Sequence, residues 1–364
     1  MAPRRNLVVG LGKTGVAAAR WLRAQGESVT VTDSRSQPPG LAVLGELGAS
    51  LPLHLGGFDP ALLDSTDRVV LSPGVSREEP LIRAALARGI AVLGDIELFA
   101  RARNAPTVAI TGTNGKSTVT TLVAEMARAA GRRVLAGGNL GEPALELLSQ
   151  PAPELYVLEL SSFQLESTES LELLAAAVLN LTPDHLDRYP SLAQYGAAKA
   201  RIFAHAATAI VNLDDPQVAA MPRRGQRRVG FSLTRADADW GLRTHRGASW
   251  LARGSEPLLP LAQLRLPGRH NAANALAALA LGEALGLPLH AMLAELETFT
   301  GLPHRSQWVA QLKGVTYIND SKGTNVGATL AGVAGLAGPL VLIAGGDGKN
   351  QDFAPLAAAF RGKV

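Results

Sequence analysis

Cysteine is absent from the chain. Disulfides, thiolate nucleophiles and zinc–thiolate centres are therefore excluded together. Aromatic side chains make up only 4% of it, and lysine is scarce: seven of the 35 basic residues, at positions 13, 116, 199, 313, 322, 349 and 363. The formal net charge is only +4 and no basic run stands out, so nucleic acid is not the expected partner. Uncharged apolar stretches of membrane-spanning length are missing as well; the richest, Ala272–Leu281, stops at Gly282 and Glu283 and reads as a buried helix. The basic start runs into Leu7-Val8-Val9 and a glycine turn, not into the apolar core of a secretion signal. The expectation is a cytoplasmic monomer that uses neither a membrane nor a nucleic acid.

What is present points to an ordinary folded chain. Its 364 residues, 47% apolar and 18% charged, suit two or three globular domains. Short apolar runs alternate with helical patterns from the start, the βαβ signature of parallel sheets. Strands are expected at Leu7–Val9, Ser28–Thr32, Arg68–Leu71, Thr107–Ile110, Leu155–Leu158, Ala176–Leu181 and Thr208–Asn212. Residues 223–268 read as short β-prone pieces forming a small antiparallel appendage, followed by helices near His270–Leu285 and His290–Phe299. After Gly301-Leu302-Pro303 a new βα pattern begins, with strands at Val315–Asn319 and Leu340–Ala344 and helices at Val326–Leu336 and Phe353–Phe360. The expected domains are 1–94, 95–300 and 301–364. The last holds too few elements for an independent sheet, so the chain is expected to stop inside it.

Two glycine loops carry the chemistry. Gly10-Leu11-Gly12-Lys13-Thr14-Gly15 follows a strand and opens a helix, with Asp33 ending the next strand. A tight turn feeding a helix N-terminus suits a diphosphate, and the acid suits a ribose hydroxyl, so a dinucleotide and another nucleotide ligand both stay open. The second loop is Gly112-Thr113-Asn114-Gly115-Lys116-Ser117-Thr118, a compressed P-loop with Ile110 where the first glycine usually stands. Successive backbone N–H groups can cradle phosphate, Lys116 can reach β- and γ-phosphates, and Ser117 can offer a hydroxyl to Mg²⁺. The following helix places apolar residues 119, 122, 123, 126, 127 and 130 on one face. Glu159 ends a buried strand as Mg²⁺-holding acids of ATPases do, and Asp184, His185 and Asp187 cluster beyond another strand. The second loop reads as an ATP site.

With Glu159-Leu-Ser-Ser-Phe-Gln164, Asn180-Leu-Thr-Pro-Asp-His-Leu-Asp187, Tyr195-Gly-Ala-Ala-Lys199, Leu302-Pro-His-Arg305 and Asn319-Asp-Ser-Lys-Gly-Thr-Asn325 added, the chain resembles the Mur ligases of bacterial cell-wall synthesis along its whole length. Within them the last motif resembles the members that add D-glutamate to UDP-N-acetylmuramoyl-L-alanine. The resemblance implies a three-domain α/β fold: a Rossmann-like domain, a central P-loop ATPase-type domain and an incomplete Rossmann-like third. It also implies an ATP-dependent acid–D-amino-acid ligase. The substrate carboxylate would take the γ-phosphoryl group as an acyl phosphate, which the amine of D-glutamate then attacks.

The first loop would then hold UDP instead of a nicotinamide cofactor, through Lys13, Thr14, Asp33, Ser34 and Gly74, with Asn139, Ser161 and Gln164 nearer the sugar. ATP would meet Gly112–Thr118 together with Asn274, Arg305 and Asp320, and D-glutamate would meet Lys322 and Thr324. Lys116, His185, Lys199 and Lys349 would be catalytic. Two Mg²⁺ ions are implied on Ser117, Glu159, His185 and Lys199, the last as a carbamate formed with CO₂. Nothing in spacing singles out Lys199; that role rests on the resemblance alone. Relatives of this kind continue past residue 364 into further D-glutamate contacts. The residues alone leave open an NAD(P)-dependent oxidoreductase joined to a P-loop domain, or a non-catalytic nucleotide-binding fragment.

Overall fold

The structure is a computed structural model, which describes residues 3–45, 51–266, 268–336, 338–348 and 350–364. By packing, the chain forms two units: Met1–Ala105 with Ala136–Ala152 and Leu160–Glu172, and Pro106–Leu135 with Pro153–Glu159 and Leu173–Val364.

The first unit carries β1 (Arg5–Val9), β2 (Ser28–Asp33), β3 (Leu53–Leu55), β4 (Arg68–Leu71) and β5 (Ala91–Gly94), all parallel in the order β3-β2-β1-β4-β5. Its strands are short and rich in valine and leucine, as parallel strands covered on both faces should be. Leu7, Val9, Val69, Leu71 and Val92 pack on Leu63, Leu81, Ile82 and Ala85 from the flanking helical segments. The switch in strand order falls between β1 and β4, beside the Gly10–Gly15 loop.

In the second unit, β6 (Thr107–Thr111) is buried throughout. β7 (Val134–Gly138) begins in this unit and ends in the first. Then come β8 (Leu155–Glu159), β9 (Leu173–Val178), β10 (Ala206–Asn212), β11 (Arg227–Ser232), β12 (Trp240–His245), β13 (Ala248–Arg253) and β14 (Glu256–Pro260). The sheet runs β14-β13-β12-β11-β10-β9-β6-β8, parallel from β8 to β12 and antiparallel beyond. The small antiparallel piece is thus an extension of the central sheet, joined through β11. The helix Lys116–Ala129 buries Val119, Leu122, Val123, Met126 and Ala127. Each such side chain is worth about 1.5–3 kcal/mol, less for the alanine.

Two expectations past residue 301 need correction. Val315–Asn319 does form a strand, β16, but it closes a hairpin with β15 (Gln307–Leu312), which the sequence reading had passed over. Lys313 and Gly314 both have positive φ, as the tight turn between right-twisted strands requires. Leu340–Ala344 takes no regular structure, and Val341 and Ile343 are each 96% exposed. A β-prone apolar run becomes a strand only beside another strand, and none among the described residues pairs with it. Helices at Val326–Gly335 and Ala354–Phe360 form nearly as expected.

Candidate active site

β6 lies between β9 and β8, with Ile110 opposite Glu159 and Thr111 opposite Val178. Parallel strands share one carboxyl edge, so the Gly112–Thr118 loop, Glu159 and the segment after β9 all emerge there together. Gly112 (φ 150°) and Gly115 (φ 84°) supply conformations that other residues avoid. A Cβ on Gly115 would also lie 2.4 Å from Asn274 Oδ1, which binds that position to glycine. Asn180 braces the loop: its carbonyl accepts from Thr113 N–H (3.0 Å), its Oδ1 from Asn114 N–H (2.8 Å), and its Nδ2 donates to Asn114 O (3.0 Å).

Charge gathers at this edge. Lys116 Nζ donates to the carbonyls of Gly112 (3.0 Å) and Thr113 (2.8 Å), and Lys199 Nζ donates to the same Gly112 carbonyl (2.9 Å). Lys199 is 1% exposed, on the helix Leu192–Ala200, which begins where Ser191 Oγ accepts from Gln194 N–H. Burial, reinforced by the Lys116 charge, holds the Lys199 amine well below the usual lysine range; Asp184 and Glu159 pull the other way. Its Nζ stands 4.4 Å from the centre of the Tyr195 ring. Glu159, Ser117 and Asp184 are buried. His185 is partly exposed, holds a positive φ of 53°, and its Nε2 lies 3.8 Å from Asp184 Oδ2; Asp187 is exposed.

Arg305 enters this group: its guanidinium donates to Ser117 Oγ at 2.8 Å. Asn325, which caps the helix Val326–Gly335, donates to both Asn114 Oδ1 (3.1 Å) and Asp184 Oδ2 (3.2 Å). A cavity of about 260 Å³ opens beside the loop, with Asn274, Arg305, Asp320 and Lys322 on its walls. It also uses Phe231, His270 and Asn271, which sequence reasoning did not single out because no motif spacing marks them. Thr324 is exposed and forms no hydrogen bond with these residues, and Lys349 lies outside the described residues.

The first unit holds the other loop. Gly15 is obligatory, since a Cβ there would fall 1.9 Å from Gly10 O, and Ser72 Oγ ties down the same carbonyl at 2.7 Å. Lys13 and Ser34 are exposed, Thr14 is half-buried at the helix start and Gly74 is exposed beyond β4. Lys13 Nζ donates to Gly141 O. Asp33 is fully committed: Arg35 donates to it from N (2.9 Å), Nε (2.8 Å) and a terminal nitrogen (2.8 Å), and Leu11 N–H adds a fourth bond (2.7 Å). Arg35 holds its carboxyl down to about 2. A ligand hydroxyl would have to displace Arg35 to reach it, because two carboxylate oxygens offer about four acceptor sites. Ser161 and Gln164 form a reciprocal cap at the helix Ser162–Glu166 in this same unit, and Asn139 is exposed in it.

Comparison with known proteins gives a consistent picture. Residues 110–282 match the family model described as Mur ligase middle domain, and residues 4–94 that described as Mur ligase MurD-like, N-terminal domain. The chain is similar to the UDP-N-acetylmuramoylalanine–D-glutamate ligase of Nitrosococcus oceani, 56% identical over 96% of this chain and 78% of that one. The ligase of the same name from Marinobacter nauticus is 53% identical over 98% of this chain and 81% of its own length. Among solved structures, UDP-N-acetylmuramate-alanine ligase MurC of Thermotoga maritima has a TM-score of 0.58 at 22% identity, covering 91% of this chain and 77% of that one. MurF ligase of the same organism, in complex with ADP, has a TM-score of 0.54 at 15% identity, covering 93% and 74%. No described helix is long and apolar enough to cross a membrane.

Proposed function

The chain belongs to the Mur ligase family, and from that premise we propose that it joins D-glutamate to UDP-N-acetylmuramoyl-L-alanine with hydrolysis of ATP, in cytoplasmic peptidoglycan precursor synthesis. The observation that carries the reading is the meeting of a phosphate-cradling loop, a buried carboxylate and a buried lysine at one edge of three adjacent strands. The ligase names of relatives above 50% identity speak against the oxidoreductase alternative.

ATP is read as held by the backbone N–H groups of Gly112–Thr118, with the base in the cavity bounded by Asn274, Arg305 and Asp320. Lys116 turns from the Gly112 and Thr113 carbonyls to the phosphates and neutralises charge on the transferring group. The site suits Mg²⁺: Ser117 and Glu159 are hard oxygen donors, and a carboxylate as buried as Glu159 needs a cation. Bound there, the ion would offset phosphate charge, and a second would use His185 and Lys199. Lys199 acts as a carbamate in this reading. Only a neutral amine adds CO₂, and a buried amine beside a second ammonium is the kind that loses its proton.

The sugar-nucleotide is assigned to the first unit, with UDP at Lys13, Thr14, Ser34 and Gly74 and the sugar and lactyl-alanine near Asn139, Ser161 and Gln164. Asp33 is assigned to the same site as the anchor of Leu11 N–H. D-Glutamate is assigned to Lys322 and Thr324, Lys349 is kept as catalytic, and the protein is taken to act as a monomer. Phosphate release from the purified protein tests the whole. Release is expected with ATP, Mg²⁺, UDP-N-acetylmuramoyl-L-alanine and D-glutamate together, and is lost when either organic substrate is omitted. Release that persists without the sugar-nucleotide overturns the reading.

A further inference from the structure

Asp95 belongs to none of the groups discussed so far. It is the first residue of the helix Asp95–Ala102 and is 1% exposed. A carboxyl group so deep is costly unless something holds it. The side-chain amide of Gln164 does so, its Nε2 donating to Asp95 Oδ2 over 3.0 Å. The other end of that amide is engaged too: Gln164 Oε1 accepts from Ser161 N–H (3.1 Å) and from the Ser161 hydroxyl (3.3 Å), and Ser161 Oγ accepts from Gln164 N–H (3.2 Å). Burial pushes the Asp95 carboxyl up to about 6, against the pull of the Gln164 bond. It is therefore mostly ionised at neutral pH.

We propose that Asp95 is a positioning residue for the sugar-nucleotide site, fixing which way round the Gln164 amide sits and, through it, where the Ser161 hydroxyl points. The inference rests on the assignment of Ser161 and Gln164 to that site. An ionised carboxylate only accepts, so the amide nitrogen must face it. A flipped amide would bring oxygen against oxygen at Asp95 and lose the Ser161 N–H bond as well. The helix cap alone favours the same orientation through the oxygen end; Asp95 secures the nitrogen end with a charge-assisted bond. One Nε2 hydrogen remains to donate to a ligand oxygen, and the Ser161 hydroxyl hydrogen is committed to Gln164.

Calorimetric titration with UDP-N-acetylmuramoyl-L-alanine and, separately, with Mg²⁺ and a non-hydrolysable ATP analogue tests this, with thermal unfolding run alongside. Asp95→Ala should weaken sugar-nucleotide binding about tenfold while nucleotide binding stays within about twofold. Asp95→Asn keeps an acceptor and should restore binding to within about threefold. The double variant Asp95→Ala/Gln164→Ala should bind no worse than Gln164→Ala alone. Equal loss of both ligands, or full additivity in the double variant, makes Asp95 a residue of the fold only and overturns the proposal. Weak binding in Gln164→Ala with normal binding in Asp95→Ala removes the proposal and leaves the site assignment standing. Normal binding in Gln164→Ala removes the assignment and the proposal together. Should Asp95→Ala not fold, Asp95→Ser, which removes the charge and shortens the side chain, takes its place. Loss of sugar-nucleotide binding without loss of nucleotide binding, and absent in the Gln164→Ala background, then supports the proposal, and unchanged binding overturns it.

Discussion

Lys116→Met is expected to lower substrate-dependent ATP turnover by about 10²–10³-fold while the melting temperature hardly moves. Methionine keeps the length and most of the bulk of the side chain, and Lys116 is only half-buried, so little packing is lost. What disappears is the one charge that the loop can aim at the transferring phosphoryl group. The two carbonyls it now bonds, those of Gly112 and Thr113, belong to the loop itself, so the ammonium is already beside the place where phosphate would sit. Removing Lys116 also removes a positive charge from beside Lys199, so the Lys199 pKa should rise in the variant. A steady-state assay with a parallel unfolding curve checks the prediction. Turnover within tenfold of the wild-type value would mean that the loop does not serve a triphosphate.

Lys199→Ala should be at least as damaging, about 10³-fold in turnover, if the proposed carbamate is a metal ligand, because both that ligand and a strut are then lost. The lysine is buried, lies over the Tyr195 ring and bonds the Gly112 carbonyl, so some loss of stability should accompany it. Carbamate chemistry separates the two effects. With ¹³C-labelled bicarbonate the wild-type protein should show a carbamate carbon resonance that Lys199→Arg lacks, since an arginine does not form one. The sign of the pH dependence follows from the depressed pKa: the amine is neutral and able to add CO₂ at pH values where an exposed lysine is fully charged. A resonance that survives Lys199→Arg, or full activity of Lys199→Ala with no response to bicarbonate, would eliminate the carbamate.

The parts of this site whose placement could be read in advance are those written in consecutive residues. The Gly112–Thr118 loop shows itself because a strand, glycines and a helix start are all written in consecutive residues. Glu159 shows itself because an acid at the end of Leu155–Leu158 is out of place unless it meets a cation, and it is indeed buried at the end of β8. Lys199 gives no such signal: it lies on a helix of mixed polarity, and its burial and its bond to the Gly112 carbonyl depend on a part of the chain 87 residues away. Asp95 looks like an ordinary acid at a helix start, where it would complement the dipole in water, and only its depth sets it apart. Asp33 ends β2, as the alternation of Ser28–Thr32 implies. Its saturation depends on Arg35 folding back two residues, which no alternation pattern announces. Leu340–Ala344 failed for the opposite reason: its composition asks for a strand, but pairing depends on neighbours elsewhere in the chain.

Manganese can stand in for magnesium and reports its own binding by electron paramagnetic resonance. If the glycine cradle and the acid at the end of β8 serve one metal-bound triphosphate, tight Mn²⁺ uptake should require the ATP analogue. It should then weaken by at least about tenfold in Glu159→Gln, with the analogue's own affinity falling in step. Mn²⁺ uptake that ignores the nucleotide, or that Glu159→Gln leaves untouched, would show that the acid and the loop serve different ligands.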